Sequence, residues 1–216
     1  MRFVLLIPIL AAALQADPIT VVETTSGGPT SLSYFYNVPT FPGMVTAQIN
    51  GNATCPAIPQ GCADGQSVTA TLDLTMSLYT PGPIRDGVAL LQLTLGGGGD
   101  AGGAELISGA IGPYSLGSCP KELTCQLFGY FPFELGVPFA IDLSGLATGY
   151  APFGGAGFTA LASLQLFELP TQAGDRAGAP VQISLVPEPG SAGLAFTGLS
   201  ALIFFARRRR RNLPSI

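Results

Sequence analysis

Histidine is absent from this chain of 216 residues, and that absence removes more chemistry than any motif in it supplies. Without an imidazole, the Ser-His-Asp and Cys-His routes to an activated nucleophile are closed, and so are histidine metal sites. Carboxylate chemistry stays open. Glycoside hydrolysis needs two Asp or Glu side chains flanking one bond, and Glu105, Glu122, Glu134, Asp142 and Glu168 are candidates by type. Nothing in their spacing selects a pair, and acidic residues on strand faces and turns are mostly solvated. The expectation is a non-catalytic body.

Cysteine offers the next chemistry. The four cysteines form two local couples, Cys55 with Cys62 and Cys119 with Cys125. Neither couple has C-x₂-C spacing and no histidine completes a zinc site, so no metal and no cofactor is expected. An even count suits disulfides in an oxidising compartment, and the short separations favour local pairing, although four cysteines allow three connectivities. Glycines 96–99 followed by Asp100 resemble a phosphate loop only superficially. A P-loop carries Lys and Ser or Thr after its glycines, whereas here a negative charge follows. A Ca²⁺-binding GGxGxD repeat would come in tandem, and this is one imperfect copy. A flexible hairpin loop is the expected structure at 96–100.

The C-terminal residues carry a different kind of chemistry, that of an address. Val186, Pro187, Glu188 and Pro189 are followed by an uncharged apolar run at 190–206 and by Arg207, Arg208, Arg209, Arg210 and Arg211. Seventeen residues at helical rise make roughly 25 Å, enough to span a bilayer with modest thinning. Inside lipid the backbone has no water to bond, which leaves a helix as the available state. The arginines do not cross and mark the cytoplasmic end. On the other side, the two prolines fix φ and extend the residues before them, so Glu188 is presented in a strand-like peptide that an enzyme groove accepts at little entropic cost. An ordinary single-pass anchor is the alternative reading.

These three elements, in this order, resemble the PEP-CTERM sorting signal of Gram-negative-type bacteria. The resemblance covers about the last thirty residues. It implies recognition by exosortase, a multi-pass membrane transpeptidase, with Pro187, Glu188 and Pro189 as recognition residues and removal of the tail near them. It also implies a surface or biofilm-matrix passenger. In such a source the glycosylation sequon at Asn52, Ala53 and Thr54 carries little information.

The N-terminal residues complete the address. Arg2, an apolar stretch at 3–14 and small residues up to Ala16 read as a secretory signal peptide. Cleavage is expected after Ala16, with Ala13 as the alternative. Three segments result: a signal at 1–16, a body at 17–185 and a sorting tail at 186–216. Between Asp17 and Glu188, three basic residues face thirteen acidic ones, a formal charge of −10 against −4 for the whole chain. Such a surface repels nucleic acid and anionic lipid, so no nucleic-acid partner is expected. The membrane is a partner only through the C-terminal helix before processing.

The body must then be a scaffold that carries few functional groups. It is rich in Gly, Pro, Thr, Leu and Phe, which favours strands and turns. Residues 68–79 alternate Val, Ala, Leu, Leu, Met and Leu with polar partners, the period of a strand with one wet face. Residues 158–166 repeat the alternation, and Leu161 and Phe167 on the opposite side suggest burial on both faces, or cover by the neighbouring sheet's edge. Further strands are expected at 18–23, 32–37, 44–50, 88–95, 104–111, 126–133, 139–143 and 181–185, with turns at 26–29, 50–51, 81–83, 96–100, 112–113 and 154–155. The fold expected is all-β, an antiparallel β-sandwich or jelly roll.

Two readings of the body follow. One is an inert acidic sandwich at the cell surface that associates with exopolysaccharide and with itself. The other is a carbohydrate-binding jelly-roll module. Trp is absent, so a sugar platform would have to come from Tyr34, Phe35 and Tyr36 or from Tyr130, Phe131 and Phe133. A solvent-exposed coplanar ring set with a nearby carboxylate favours binding, and rings fully buried between sheets favour the inert reading.

Overall fold

Alternation is the local cause of the fold. Along residues 67–79 every second side chain, from Val68 to Leu78, is fully buried, and the intervening ones are half-buried. A strand built this way has one face to hide, and two sheets hide such faces against each other. The computed structural model describes residues 17–186 apart from 57–61, 63–65, 101–102, 121–122 and 152–153. The expected signal peptide, Pro187, Glu188 and Pro189, the apolar run and Arg207 to Arg211 lie outside the described residues. Among the described residues no helix is long and apolar enough to cross a membrane.

In chain order the strands are β1 (Ile19–Ser26), β2 (Thr30–Asn37), β3 (Val45–Cys55), β4 (Ser67–Tyr79), β5 (Arg85–Gly99) and β6 (Gly103–Ile111). They continue as β7 (Tyr114–Ser118), β8 (Thr124–Leu135), β9 (Phe139–Tyr150), β10 (Gly154–Glu168), β11 (Pro180–Val181) and β12 (Ser184–Leu185). They form two antiparallel sheets, ordered β1-β4-β9-β6-β7 and β2-β3-β10-β5-β8, with β12 added to β4 and β11 to β10. The sheets stack as a sandwich: β3 packs on β4 and β9, β10 on β9 and β6, and β5 on β6. The core is the set of inward residues, dominated by Leu72, Leu74, Met76, Leu91, Leu93, Leu95, Ile141, Leu164 and Leu166. Each such side chain contributes about 1.5–3 kcal/mol by leaving water.

Several elements differ from the sequence reading, for reasons that lie across the sheet. Asn50 and Gly51, expected as a turn, run straight through β3, because β2 and β10 flank that stretch and supply both ladders. Glycines 96–99, expected as a hairpin loop, belong to β5, where Gly96 pairs with Thr124 of β8 and with Thr159 of β10. Gly154 and Gly155 likewise open β10 against Cys55 and Thr54. The turns at Gly82 and Gly112 are as expected, and both glycines have positive φ, +116° and +54°. The fifth strand of one sheet, β7, was not expected at all. In β10 the outer face is only half-buried at Leu161 and Phe167; flanking strands, not a third layer, shield it.

The final stretch divides in two. Pro180 and Val181 pair with Phe167 and Leu166 beyond the end of β3, while Ser184 and Leu185 pair with Tyr79 and Leu78 beyond the end of β1. Each short piece fills a place its longer neighbour leaves vacant, with Ile183 buried between them. The expected single edge strand at 181–185 is therefore a crossover between sheets. It ends where the body begins: the Ser77 amide donates to the Pro18 carbonyl at 2.7 Å, and the Ser77 carbonyl accepts from the Val186 amide at 2.9 Å.

Candidate functional site

The outer face of the β2-β3-β10-β5-β8 sheet collects uncharged hydrogen-bonding groups. The registers align Ser31, Asn52, Gly157 and Gly98 in one row across the strands, and Ser33, Asn50, Thr159, Gly96 and Thr124 in the next. Together they line a groove of about 570 Å³. Among its described lining residues none is charged, in a body whose overall charge is strongly negative. At the usual strand spacing the second row spans about 19 Å from β2 to β8.

Asn50 is held in place by its neighbours. Its Oδ1 accepts from Gln48 Nε2 and from Thr159 Oγ1, both at 3.0 Å, and its Nδ2 donates to Ser33 Oγ at 3.4 Å. One amide hydrogen remains for a ligand. Asn52 Oδ1 accepts from Thr54 Oγ1 at 2.9 Å, and Asn52 is an exposed residue of the groove lining. Beside this row along β2 stands Phe35, 60 % exposed, and Phe128 of β8 on the same face is 70 % exposed.

The aromatic residues divide by face. Phe133 is buried, and it packs with Tyr114 and Phe139, while Phe131 packs on Tyr114. These rings close the β7–β8 end of the core. Tyr130 faces outward against Phe167, with ring centroids 6.3 Å apart. Tyr34 and Tyr36 lie on the inward side of β2, beyond the last core contacts, and are exposed at that open edge.

Among the described residues, the candidate carboxylates do not assemble as one site. Asp142 is on the outer face of β9, Glu134 on β8, and Glu168 forms a solvent-exposed ion pair with Arg85 at 3.5 Å; Glu122 lies outside the described residues. The register sets Asp73 of β4 one diagonal away from Asp142, a neighbour that sequence reasoning missed. Thr75 Oγ1 donates to Asp142 Oδ1 at 2.8 Å, and Ser144 Oγ donates to Asp73. Both carboxylates line a shallow depression with Ser108 and Ser115. The period-two pattern of 68–79 places Asp73 on the wet face, but its pairing with a residue so distant in sequence has no local signal.

Glu105 sits on the inward side of β6, beside Gly97, and both carboxylate oxygens are buried without a hydrogen-bond partner among the described residues. An apolar side chain avoids that cost. Glu105→Leu is expected to raise stability by about 1–2 kcal/mol, read as a higher midpoint in denaturant unfolding. An unchanged or lower midpoint would show that the carboxylate has a counter-charge the fold requires.

No family model and no curated protein matches this chain.

Both cysteine couples are closed locally, Cys55 to Cys62 and Cys119 to Cys125, with Cα–Cα distances of 5.5 and 5.8 Å. Cys55 ends β3 and Cys125 lies in β8, so each bridge ties a loop to a strand end at a sheet margin. Replacing Cys55 and Cys62 together by Ser is expected to cost about 2–3 kcal/mol, the chain entropy of a short loop, and the same holds for the second bridge. Denaturant unfolding of the two double variants checks both values. Of the sorting residues, Val186 alone is described, bonded to β4 through its amide.

Proposed function

We propose that this chain is an exported precursor that is sorted through its C terminus to the cell surface or extracellular matrix, where its body acts without catalysis and associates with exopolysaccharide. The observation that carries the compartment is the closure of both cysteine couples as disulfides, which is compatible with an oxidising, extracytoplasmic destination. The sorting step rests on the resemblance of Val186 to Pro189, the run at 190–206 and the arginines to the PEP-CTERM signal. An exosortase-like enzyme is the processing partner in this reading. The apolar run holds the precursor in the membrane, and Arg207 to Arg211 fix its orientation. The test is the fate of a chain in which Glu188 is replaced: export continues and the tail stays on.

A second reading, a carbohydrate-binding module, is favoured by two observations. Strands β3 to β10 run β4-β9-β6-β7 in one sheet and β3-β10-β5-β8 in the other, which we read as the interleaved Greek keys of a jelly roll. The architecture alone assigns no ligand. The uncharged groove with an exposed Phe35 beside it supplies what the architecture does not.

A further inference from the structure

We infer that the groove on the outer face of the β2-β3-β10-β5-β8 sheet binds a chain of uncharged sugar residues, with Gly96, Gly98 and Gly157 as its floor. The inference deepens the carbohydrate reading above and rests on it.

The fold needs some of these glycines and not others. Gly97 and Gly99 face inward and have no room for a side chain: a Cβ at Gly97 would lie 2.8 Å from Glu105 Cγ, and one at Gly99 would lie 2.8 Å from the Gly155 carbonyl oxygen. Their neighbours face outward and are different. Among the described residues, a Cβ at Gly98 meets nothing within 4 Å, and one at Gly96 meets only Thr124 Oγ1 at 3.6 Å. Neither has the left-handed backbone that demands glycine. Glycine inside a strand weakens it, and where packing does not require it, it marks a place where a ligand or another backbone comes close. Gly157, paired to Gly98, continues the floor at backbone level; a Cβ there would lie 3.3 Å from the Gly51 carbonyl oxygen, so at this position packing as well as the groove favours glycine.

The walls identify the ligand class. Ser31 and Thr124 present hydroxyls, and Asn50 and Asn52 present amides, so the lining offers both donors and acceptors to a polyhydroxylated chain. No described lining residue has a charge to pair with a uronate, sulfate or phosphate group, and the acidic body disfavours polyanions. The exposed ring of Phe35 offers an apolar surface to a sugar face. The groove is open along the row, which suits the interior of a polymer better than its end.

The test uses the chain purified from its exporting host with both disulfides intact. Affinity electrophoresis is run through gels containing laminarin, dextran, galactomannan or xyloglucan, with alginate as the polyanion. The wild-type chain is expected to be retarded by at least one neutral polymer and not by alginate. Gly98→Val fills the floor and is expected to weaken that binding about tenfold or more, with a thermal midpoint equal to or above wild type, since a β-branched residue suits a strand. Asn52→Ala, a surface change that leaves the strand intact, is expected to weaken binding in the same gels. Equal retardation of wild type and both variants would overturn the groove assignment while leaving a carbohydrate-binding body. Retardation by alginate alone would overturn the ligand class. Absence of retardation in every gel would overturn the carbohydrate reading itself and leave the sorting proposal untouched.

Discussion

Gly145→Ala is expected to destabilise the body by about 3 kcal/mol, although it adds a single methyl group. Gly145 is buried in β9, and a Cβ there would overlap Cδ2 and Cε2 of the Phe158 ring from β10. A flexible neighbour would move aside. Phe158 has no space to do so, because its other side rests on Gly51 of β3, where a Cβ would overlap Cε1 and Cζ. The ring therefore fills a slot cut by two glycines, one in each sheet. Overpacking at such a rigid site lies at the upper end of the usual 1–3 kcal/mol range, a large share of the roughly 5–15 kcal/mol that holds a domain folded. Phe158→Ala alone empties the slot and is expected to cost about 3–5 kcal/mol. The double variant is the discriminating one: the new methyl enters the space that the ring leaves, so its cost falls below the sum of the two single costs by about 1–3 kcal/mol. Denaturant unfolding of the three variants measures this coupling. Strict additivity would show that the ring does not sit between these two backbones.

Glu188→Ala is expected to leave export intact and to stop tail processing almost completely. The two prolines still extend the peptide in this variant, so only the carboxylate is lost. If an enzyme reads that carboxylate in a closed groove, an unpaired recognition group costs far more than a lost surface contact. The accumulating species is membrane-bound, retains Arg207 to Arg211 and has both disulfides formed, which intact mass and fractionation read together. Release of Glu188→Ala in wild-type amount would show that the Pro-Glu-Pro element is a spacer.

Side-chain alternation made the two-sheet architecture legible. Residues 68–79 bury every apolar position that the period-two pattern assigns, and the body is all-β. What alternation does not encode is which strands neighbour which, and the glycine-containing stretches show the consequence. Asn50-Gly51, 96–99 and Gly154-Gly155 have the composition of turns, yet strand pairing imposes extended backbone on each, from both sides at Asn50, Gly51 and Gly96, from β10 alone at 97–99 and from β3 alone at Gly154 and Gly155. Glycine reports permission to turn, and lateral hydrogen bonds decide whether the chain does so. The candidate groove was hidden for the same reason. Ser31, Asn52, Gly98 and Gly157 come from four strands and meet only through register, so no local motif contains them. The disulfides were the opposite case: cysteines seven and six residues apart could close loops that were already local. The aromatic residues fell between. Their clustering was visible in the sequence, but Phe35 and Phe133 separate into outward and inward roles through strand facing alone.

Export followed by removal of the tail is tested by the intact mass of the wild-type protein recovered from fractions of its native host. The expected product is a surface or medium species that lacks the signal and everything beyond the Pro-Glu-Pro region, with both disulfides closed. A membrane-bound species that still carries Arg207 to Arg211 as the end product would contradict it and make the C-terminal segment a plain anchor.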